Sequence, residues 1–254
     1  EEGESAPLLR SGSSRDGKSR WMNTTSHFYL SDVEIYQGSH HGNLRKAFIR
    51  RVYGLLSCQL LLNVLIVAVC MYQPWVRSVC LTYPRTIMWG SIVPTFCTLF
   101  GLFMYKDRYP MNGILMLLFT FFESFALGCV CAIYQASDLG GCVLQAFGIT
   151  LTIFISLTLL ATQSRCDFSF LGGFLSTALS AMITWGFINI AFGWHPMWLY
   201  SWLGAILFCG FILFDTWMIM QRYGYDDYLI AAVELYLDFI NLFLNILRVL
   251  ANSR

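Results

Sequence analysis

The chain has 254 residues, of which 57% are hydrophobic and only 12% are charged, with a formal net charge of +1. A soluble domain usually has about 25% charged residues, so this composition excludes an ordinary soluble protein and predicts an all-α, polytopic membrane protein. Outside the N-terminal tail no basic patch is interleaved with aromatic residues, so nothing supports nucleic-acid binding.

Residues 1–44 are predicted to form a disordered cytosolic tail, because they are rich in Ser, Gly, Arg and Asp and contain no long apolar run. The segment 4–9 has the sequence ESAPLL, with Glu4 four positions before the pair Leu8 and Leu9. It resembles the acidic dileucine signals that clathrin adaptors bind, which would direct the protein to late endosomes or lysosomes. The first apolar segment follows a basic cluster at 45–51, so we expect an uncleaved anchor and no signal peptide.

Residues 45–254 are predicted to form a bundle of seven transmembrane helices. Seven apolar segments follow the tail, each long enough to cross a hydrocarbon core about 30 Å thick. The short connections predict antiparallel neighbours, and Pro94 is expected to kink the second helix. The predicted spans are residues 52–72, 86–105, 111–134, 139–162, 168–192, 197–220 and 229–250.

The distribution of Lys and Arg predicts a cytosolic N-terminus, because most of these residues fall on the side of the tail. Arg248 and Arg254 fall on the opposite side and fit this rule poorly. A last segment that re-enters the membrane would place them better, but its long uninterrupted apolar sequence favours a complete span.

Four acidic residues lie inside the predicted spans: Glu123, Asp215, Glu234 and Asp238. A charge at the centre of a membrane helix costs about 2.5 to 3.5 kcal/mol, so it seldom persists without a partner or a water-filled cavity. No Lys or Arg lies near the middle of a predicted span. Two such carboxylates close together cannot both ionise cheaply and are expected to share a proton, from which a pH-sensitive gate follows.

Structural roles are the alternatives for two of these acids. Glu123 could be a protonated side chain that hydrogen-bonds to a neighbouring helix, and Glu234 could simply reach the cytosolic interface. Asp215 and Asp238 lie deep in their spans and are the stronger functional candidates.

The last predicted span has its polar side chains on one face. With about 100° between successive residues, five of them fall within a narrow sector of the helix: Glu234, Asp238, Asn241, Asn245 and Arg248. Carboxylate and amide oxygens suit a hydrated cation, above all Ca²⁺, and acidic side chains in a pore select cations. We predict that this face lines a cation path, in which Asn241 and Asn245 either line the pore or tie helices together.

Six stretches beyond the tail match a known family of membrane proteins. They are RKAFIRRVYGLLSCQLLL at 45–62, KDRYPMNGILMLLFTFFES at 106–124, LQAFGITLTIF at 144–154, ATQSRCDFSFLGG at 161–173, GAILFCGFILFDT at 204–216 and LYLDFINLFLNILR at 235–248. On these residues the chain resembles the transmembrane Bax-inhibitor-motif (lifeguard) family, and most of all its Golgi anti-apoptotic protein branch, which has cellular and viral members.

The resemblance implies a seven-helix bundle with a central C-terminal helix, a pH-sensitive calcium leak from intracellular stores of the endoplasmic reticulum or Golgi, and protection against cell death. Asp215 in FDT and Asp238 in YLD match the family's paired aspartates, the proposed proton-sensing latch and transient calcium ligands. Glu123 matches the acidic residue of the third helix. No resident cofactor is implied, and Bcl-family and calcium-release-channel proteins are candidate partners.

One feature departs from the family pattern. A bacterial relative pairs its aspartate with an arginine in the second helix, whereas the second segment here has no basic residue before Lys106. The latch is therefore not expected to use that arginine.

Two other functional classes stay open, although we expect no enzymatic activity. Intramembrane aspartyl proteases also set two aspartates on adjacent helices, but their GxGD motif is replaced here by LYLD and FILFD. An anti-apoptotic interaction protein that does not conduct ions would use the buried acids only structurally.

The nine cysteines are scattered, mostly inside apolar runs, and no CxxC pair occurs. Cys129 and Cys131 are two positions apart and face different sides of a helix, which argues against a shared metal. The cysteines are expected to be small apolar packing residues.

Overall fold

The computed structural model describes residues 15–164, 167–192 and 197–253, with side chains described from residue 43 onward. Within these residues the backbone forms eight α-helices and no strand, so the all-α prediction is confirmed. The helices are α1 (Arg15–Tyr72), α2 (Pro74–Thr82), α3 (Pro84–Met104), α4 (Met111–Ala136), α5 (Gly140–Gln163), α6 (Ser169–Phe192), α7 (Met197–Gln221) and α8 (Tyr228–Asn252).

Seven of the described helices are long and apolar enough to cross a membrane, and the prediction of seven spans is confirmed. The first span is the part of α1 from Asn43 to Tyr72, and the others correspond to α3 through α8. The first span begins nine residues before the predicted start at residue 52, and the ends of the other six lie within three residues of the predicted ones. The chain is a multi-pass membrane protein.

Helix α1 begins at Arg15, so residues 15–44 have helical backbone where the sequence predicts a disordered tail. No proline interrupts the chain between Arg15 and Tyr72, and nothing therefore breaks the helix ahead of its apolar part. The chain divides into two compact units between Ala47 and Phe48. Glu4, Leu8 and Leu9 of the predicted sorting signal lie outside the described residues.

Helix α2 occupies the connection for which the sequence predicts only a loop. Pro74 stands at its first turn, where the missing N–H costs no hydrogen bond and the fixed φ favours helix initiation. Pro84 then starts α3 after a single intervening residue, Tyr83. Cys80 is the one residue of α2 that is buried.

Helix α3 contains Pro94 and continues past it to Met104. The hydroxyl of Thr98 donates a hydrogen bond that is shared between the carbonyl oxygens of Pro94 (2.8 Å) and Thr95 (3.0 Å). This polar side chain is therefore hydrogen-bonded within an apolar segment. The kink expected at Pro94 stays a prediction.

Helix α8 is the most deeply buried of the seven spans. In its apolar window 72% of the residues are buried, compared with 39% or less in the other six. It packs against α4, α5 and α7, and the ring of Phe239 meets those of Phe147 and Phe154 edge to face at 6.2 and 5.5 Å. The central position of the last helix stays a prediction.

Candidate functional site

One cavity is lined by every residue that the sequence assigns to the ion path. It has a volume of about 770 Å³ and is walled by side chains of α3, α4, α6, α7 and α8. Most of the lining from α3 and α6 is apolar, whereas α4, α7 and α8 contribute the acids. The predicted residues on its wall are Glu123, Asp215, Glu234, Asp238, Asn241, Asn245 and Arg248.

The polar face of α8 forms one long wall of this cavity. Its five polar residues recur at intervals of three or four positions, which keeps them in one row along a helix. From Glu234 to Arg248 the row extends about 21 Å at 1.5 Å per residue, most of the thickness of a hydrocarbon core. The face predicted from the sequence therefore borders open volume.

Asp215 of α7 and Asp238 of α8 meet in the cavity. Their carboxyl groups lie close enough for one to hydrogen-bond to the other. Asp238 is only 6% exposed, and its Oδ2 atom has no hydrogen-bond partner. Glu234, one turn before Asp238 on the same helix, also acts electrostatically on Asp215. Three acids thus share one electrostatic site.

A salt bridge joins Lys106 to Asp227, outside the spans. None of the acids of the cavity forms a salt bridge with a described residue. Glu123 extends from α4 on the wall formed by the third span and is partly buried. Glu123 forms no hydrogen bond to a described residue of a neighbouring helix, and its place on the cavity wall suits a hydrated acid.

The two asparagines of α8 turn their amide donors back onto their own helix. Asn241 Nδ2 donates to the carbonyl of Leu237 (2.9 Å), and Asn245 Nδ2 donates to the carbonyl of Asn241 (2.8 Å). These donors therefore do not tie α8 to another helix. The Oδ1 atom of Asn245 is buried without a partner, which leaves a carbonyl oxygen of the kind that binds hard cations.

Gly204 of α7 is a site residue that the sequence did not indicate. A Cβ atom at this position would lie 2.5 Å from Oδ1 and 2.9 Å from Nδ2 of Asn245. The lack of a side chain is what lets α7 approach the Asn245 amide. A lone glycine in an apolar helix gives no signal of such a contact, because the partner is more than forty positions away in the chain.

Glu234 is held at one end of the cavity by Tyr223, in the connection between α7 and α8. The phenol of Tyr223 donates a hydrogen bond to Glu234 Oε2. Burial, and then the nearby Glu234 carboxylate, raise the pKa of Tyr223 above its ordinary value, so this phenol stays a donor at physiological pH. Glu234 therefore lines the cavity and is anchored by Tyr223, while its reach to the cytosolic interface stays a prediction.

Arg248 lies at the other end of the row. It lines the same cavity and acts electrostatically on Tyr134 of α4. The cavity is thus polarised, with acids toward the start of α8 and a cation toward its end. The sequence placed Arg248 on this face but gave it no role.

Most of the chain is similar in sequence to known proteins. Residues 45–254 match the family model described as Inhibitor of apoptosis-promoting Bax1. The chain belongs to the Bax inhibitor (lifeguard) family. The BI1-like protein of Arabidopsis thaliana is 40% identical over 228 residues, covering 87% of each chain.

Two further members of the Bax inhibitor family extend this match. Protein lifeguard 4 of Mus musculus is 36% identical over 209 residues, which are 82% of this chain and 86% of the relative. The Golgi anti-apoptotic protein of Vaccinia virus (strain Lister) is 36% identical over 212 residues, which are 83% of this chain and 87% of the relative. The family resemblance predicted from the six stretches is confirmed.

The Bax inhibitor family match begins at Arg45, so every residue of the cavity lies within it and the sorting signal lies before it. Among the residues that the structure describes, no three His, Cys, Asp or Glu side chains are arranged to hold a metal ion. A calcium ion at Asp215 and Asp238 would therefore need water to complete its 6 to 8 oxygen ligands. Such a site suits transient passage better than permanent binding.

Proposed function

We propose that this protein is a pH-sensitive, calcium-permeable leak channel of intracellular membranes that lowers store calcium and inhibits cell death. The observation that supports it most is one cavity whose wall contains four acids and two amides. None of these acids forms a salt bridge with a described residue. The names of the relatives support the biological role, since one is a Golgi anti-apoptotic protein and the family model is an inhibitor of apoptosis-promoting Bax1.

The size and chemistry of the cavity suit a hydrated cation. A cavity needs a volume of roughly 10–15 Å³ to hold one water molecule. The acidic residues line a cavity of about 770 Å³, which is large enough for an ion with much of its hydration shell. Carboxylates replace some of the waters and make the passage selective for cations, while weak multi-site binding lets the ion leave. Calcium is the permeant ion in this mechanism and not a resident cofactor.

The paired aspartates form the pH-sensitive element. Two carboxyl groups in contact share one proton readily, because the hydrogen bond replaces the repulsion between two charges. The shared proton ties α7 to α8 and occupies the oxygens that calcium uses. Loss of the proton frees these oxygens and adds a charge to the site, so protons and calcium act on the same pair.

Calcium efflux from proteoliposomes between pH 5 and 8 tests this proposal. Asp215→Asn and Asp238→Asn keep the side-chain size but cannot share the proton, so each variant is expected to change the leak and flatten its pH dependence. Thr216→Val is the matched control, since Thr216 is buried on the same helix next to Asp215 but does not line the cavity. An unchanged pH profile in both aspartate variants would refute the latch.

The same liposomes separate the channel from a non-conducting interaction protein. If the wild-type protein passes no calcium at any pH, the buried acids are structural, and an anti-apoptotic role would instead depend on partners such as Bcl-family or calcium-release-channel proteins. A channel predicts flux from the purified protein alone.

The pair of Asp215 and Asp238 favours a second candidate function, an intramembrane aspartyl protease. Such a protease also has two aspartates on adjacent helices. Incubation of the purified protein with a membrane-embedded peptide tests it. Cleavage that disappears in both Asp215→Asn and Asp238→Asn would support a protease, and an intact peptide with normal calcium flux would exclude it.

We place the protein in membranes of the endoplasmic reticulum or Golgi, with the tail in the cytosol, and in late endosomes or lysosomes if clathrin adaptors bind the ESAPLL segment. Replacement of Leu8 and Leu9 by alanine is then expected to move the protein out of acidic compartments. If the distribution of the protein among compartments is unchanged in fluorescence images, the sorting role is refuted, while the channel proposal is not tested by this result.

A further inference from the structure

Three thiols from three helices meet outside the acidic cavity. Cys70 lies near the end of α1, Cys80 in α2 and Cys129 in α4, and together with Ala132 they form a separate buried cluster. Each of the three cysteines is at most 1% exposed. We call Cys70, Cys80 and Cys129 the thiol cluster.

Cys80 is the shared member of the thiol cluster. It packs with both Cys70 and Cys129 in this cluster, and the Cys129 thiol donates a hydrogen bond to the carbonyl oxygen of Cys80 at 3.6 Å. A Cβ atom on Gly128 would lie 2.7 Å from Cys70 Sγ. This glycine therefore lets Cys70 lie directly against α4, beside Cys129.

Helix α2 is weakly held, which gives the thiol cluster a route to solvent. Cys80 is its one buried residue, whereas Trp75 is 74% exposed. Pro74 and Pro84 begin α2 and the next helix, so the backbone hydrogen-bond ladder is interrupted on both sides. Short elements with few buried contacts open locally at low free energy. Opening of α2 exposes Cys80 and uncovers its two neighbours.

A metal site is the other common use of three thiols, and the geometry disfavours it. In the part of the chain with described side chains, no three Cys, His, Asp or Glu residues are positioned to hold a metal ion. A disulfide needs only two sulfur atoms, and either neighbour can provide the second.

We propose that the thiol cluster is a reversible disulfide site in which Cys80 pairs with either Cys70 or Cys129 and thereby locks α2 onto α1 or α4. The oxidant is a small or protein-borne disulfide such as glutathione disulfide. The Cys80 thiolate attacks one of its sulfur atoms and releases one glutathione thiolate, and a neighbouring thiolate then attacks the Cys80 sulfur and releases the second. Two protein thiols are oxidised, one glutathione disulfide is reduced, and the two protons pass to the glutathione thiolates.

The predicted orientation places this end of α1 on the lumenal side, where disulfides persist. A disulfide that fixes α2 would also restrict α3, because α3 follows α2 after one residue. Helix α3 contributes Thr95 and Leu99 to the wall of the acidic cavity. The disulfide itself does not depend on the channel being real, since none of the three thiols lines the cavity.

Differential alkylation of the full-length protein in liposomes tests this site. The protein is equilibrated with reduced and oxidised glutathione in different ratios, quenched in acid, denatured and labelled with N-ethylmaleimide. It is then reduced, labelled with iodoacetamide and mapped by mass spectrometry. Labelling of Cys80 by maleimide is expected to fall about tenfold from the reducing to the oxidising end, together with that of Cys70 or Cys129.

The cross-linked peptide is the second expected result, and it should contain Cys80 and one of its two neighbours. Cys142→Ala is the matched control, because Cys142 is buried in α5 outside the cluster, and its loss should leave the cross-link unchanged. Cys80→Ala should abolish protection of Cys70 and Cys129.

Two outcomes would overturn the proposal, and both are measured on the wild-type protein. One is Cys80 that stays fully labelled by maleimide at every glutathione ratio. The other is a uniform loss of label over all the cysteines, which would indicate non-specific oxidation and not a built site.

Discussion

Helix α8 has polar groups on two opposite sides, and their surroundings differ. Toward α1 and α4, Asn63 Nδ2 donates to the hydroxyl of Tyr236 (2.9 Å) and to Ser124 Oγ (3.1 Å), and all three side chains are buried. Toward α3 and α7, Asp238 faces about 770 Å³ of open volume with one carboxyl oxygen that has no partner. We call the first region the amide network, formed by Asn63, Ser124 and Tyr236, and the second the acidic cavity.

The contrast separates two uses of polarity in a membrane protein. In the amide network, neutral groups pair with one another across three helices, which holds helices together at modest cost. In the acidic cavity, charged groups are kept without salt-bridge partners, which is expensive unless water and ions replace them. Loss of a network residue should therefore affect stability, and loss of a cavity residue should affect transport.

The largest expected effect beyond the aspartate pair concerns Glu123, for which the buried Thr120, about one turn away on α4, offers a matched control outside the cavity. Glu123→Gln removes a negative charge from the cavity wall, so the preference for calcium over potassium is expected to fall by on the order of tenfold. Reversal potentials in bilayers measure it. Thr120→Val should leave them unchanged, and identical potentials for Glu123→Gln and wild type would count against a pore role.

Asn63→Ala is expected to destabilise the folded protein by about 1 kcal/mol, because it leaves the Ser124 and Tyr236 hydroxyls without their amide donor. Thermal unfolding in detergent measures this change, with Leu61→Ala as the control, since Leu61 is 66% exposed on the same helix. Calcium flux per folded molecule should stay normal. The contrast between the amide network and the acidic cavity would be contradicted if Asp238→Asn lowered stability as much as Asn63→Ala does and left the calcium flux unchanged.

Gly204→Ala should lower calcium flux roughly twofold, because its methyl group displaces the Asn245 amide into the pore. Gly210→Ala is the matched control on the same helix, since its Cβ would meet only a terminal methyl of Leu175, at 2.7 Å. Equal flux in the two variants would show that the Asn245 oxygen does not border the ion path.

The smallest effect is expected at the ion pair between Lys106 Nζ and Asp227 Oδ1, which are 2.8 Å apart outside the spans. The hydrogen bond to Asp227 raises the pKa of Lys106 above its ordinary value. A raised lysine pKa stabilises the fold below the ordinary pKa, and this contribution is lost only as pH rises through the raised value. Lys106→Gln should therefore leave the flux unchanged between pH 5 and 8 and lower the melting temperature only slightly, by an amount that does not vary over this pH range. A shifted flux profile would instead make this pair part of the gate.

The spans and the polar face of α8 could be predicted because both depend on local sequence. An apolar run of about 20 residues is enough to identify a membrane helix, and the 100° period places Glu234 and Arg248 on one face without knowledge of the neighbours. Asp215 and Asp238 line the same cavity, and their role as a latch stays a prediction.

Contacts between distant helices could not be predicted in this way. The spacing of Cys129 and Cys131 indicated that they face different sides, but it could not show that Cys129 meets Cys70 and Cys80. Helix α2 was missed because nine residues are too short for a hydropathy signal. Likewise, whether the Asn241 and Asn245 amides tie helices together was open until their donors were located on the backbone of α8.

Water access to the acidic cavity tests the central claim most directly. A cysteine placed at Asn241 lies on the cavity wall, whereas one at the neighbouring Leu242, which is 0% exposed, lies in the hydrophobic core. Both variants are treated in liposomes with a charged, membrane-impermeant thiosulfonate, with the wild-type protein as the background for native thiols. We expect Asn241→Cys to react and its calcium flux to fall, while Leu242→Cys stays unmodified. An unreactive Asn241→Cys with unchanged flux would show that the cavity is dry and would contradict the account.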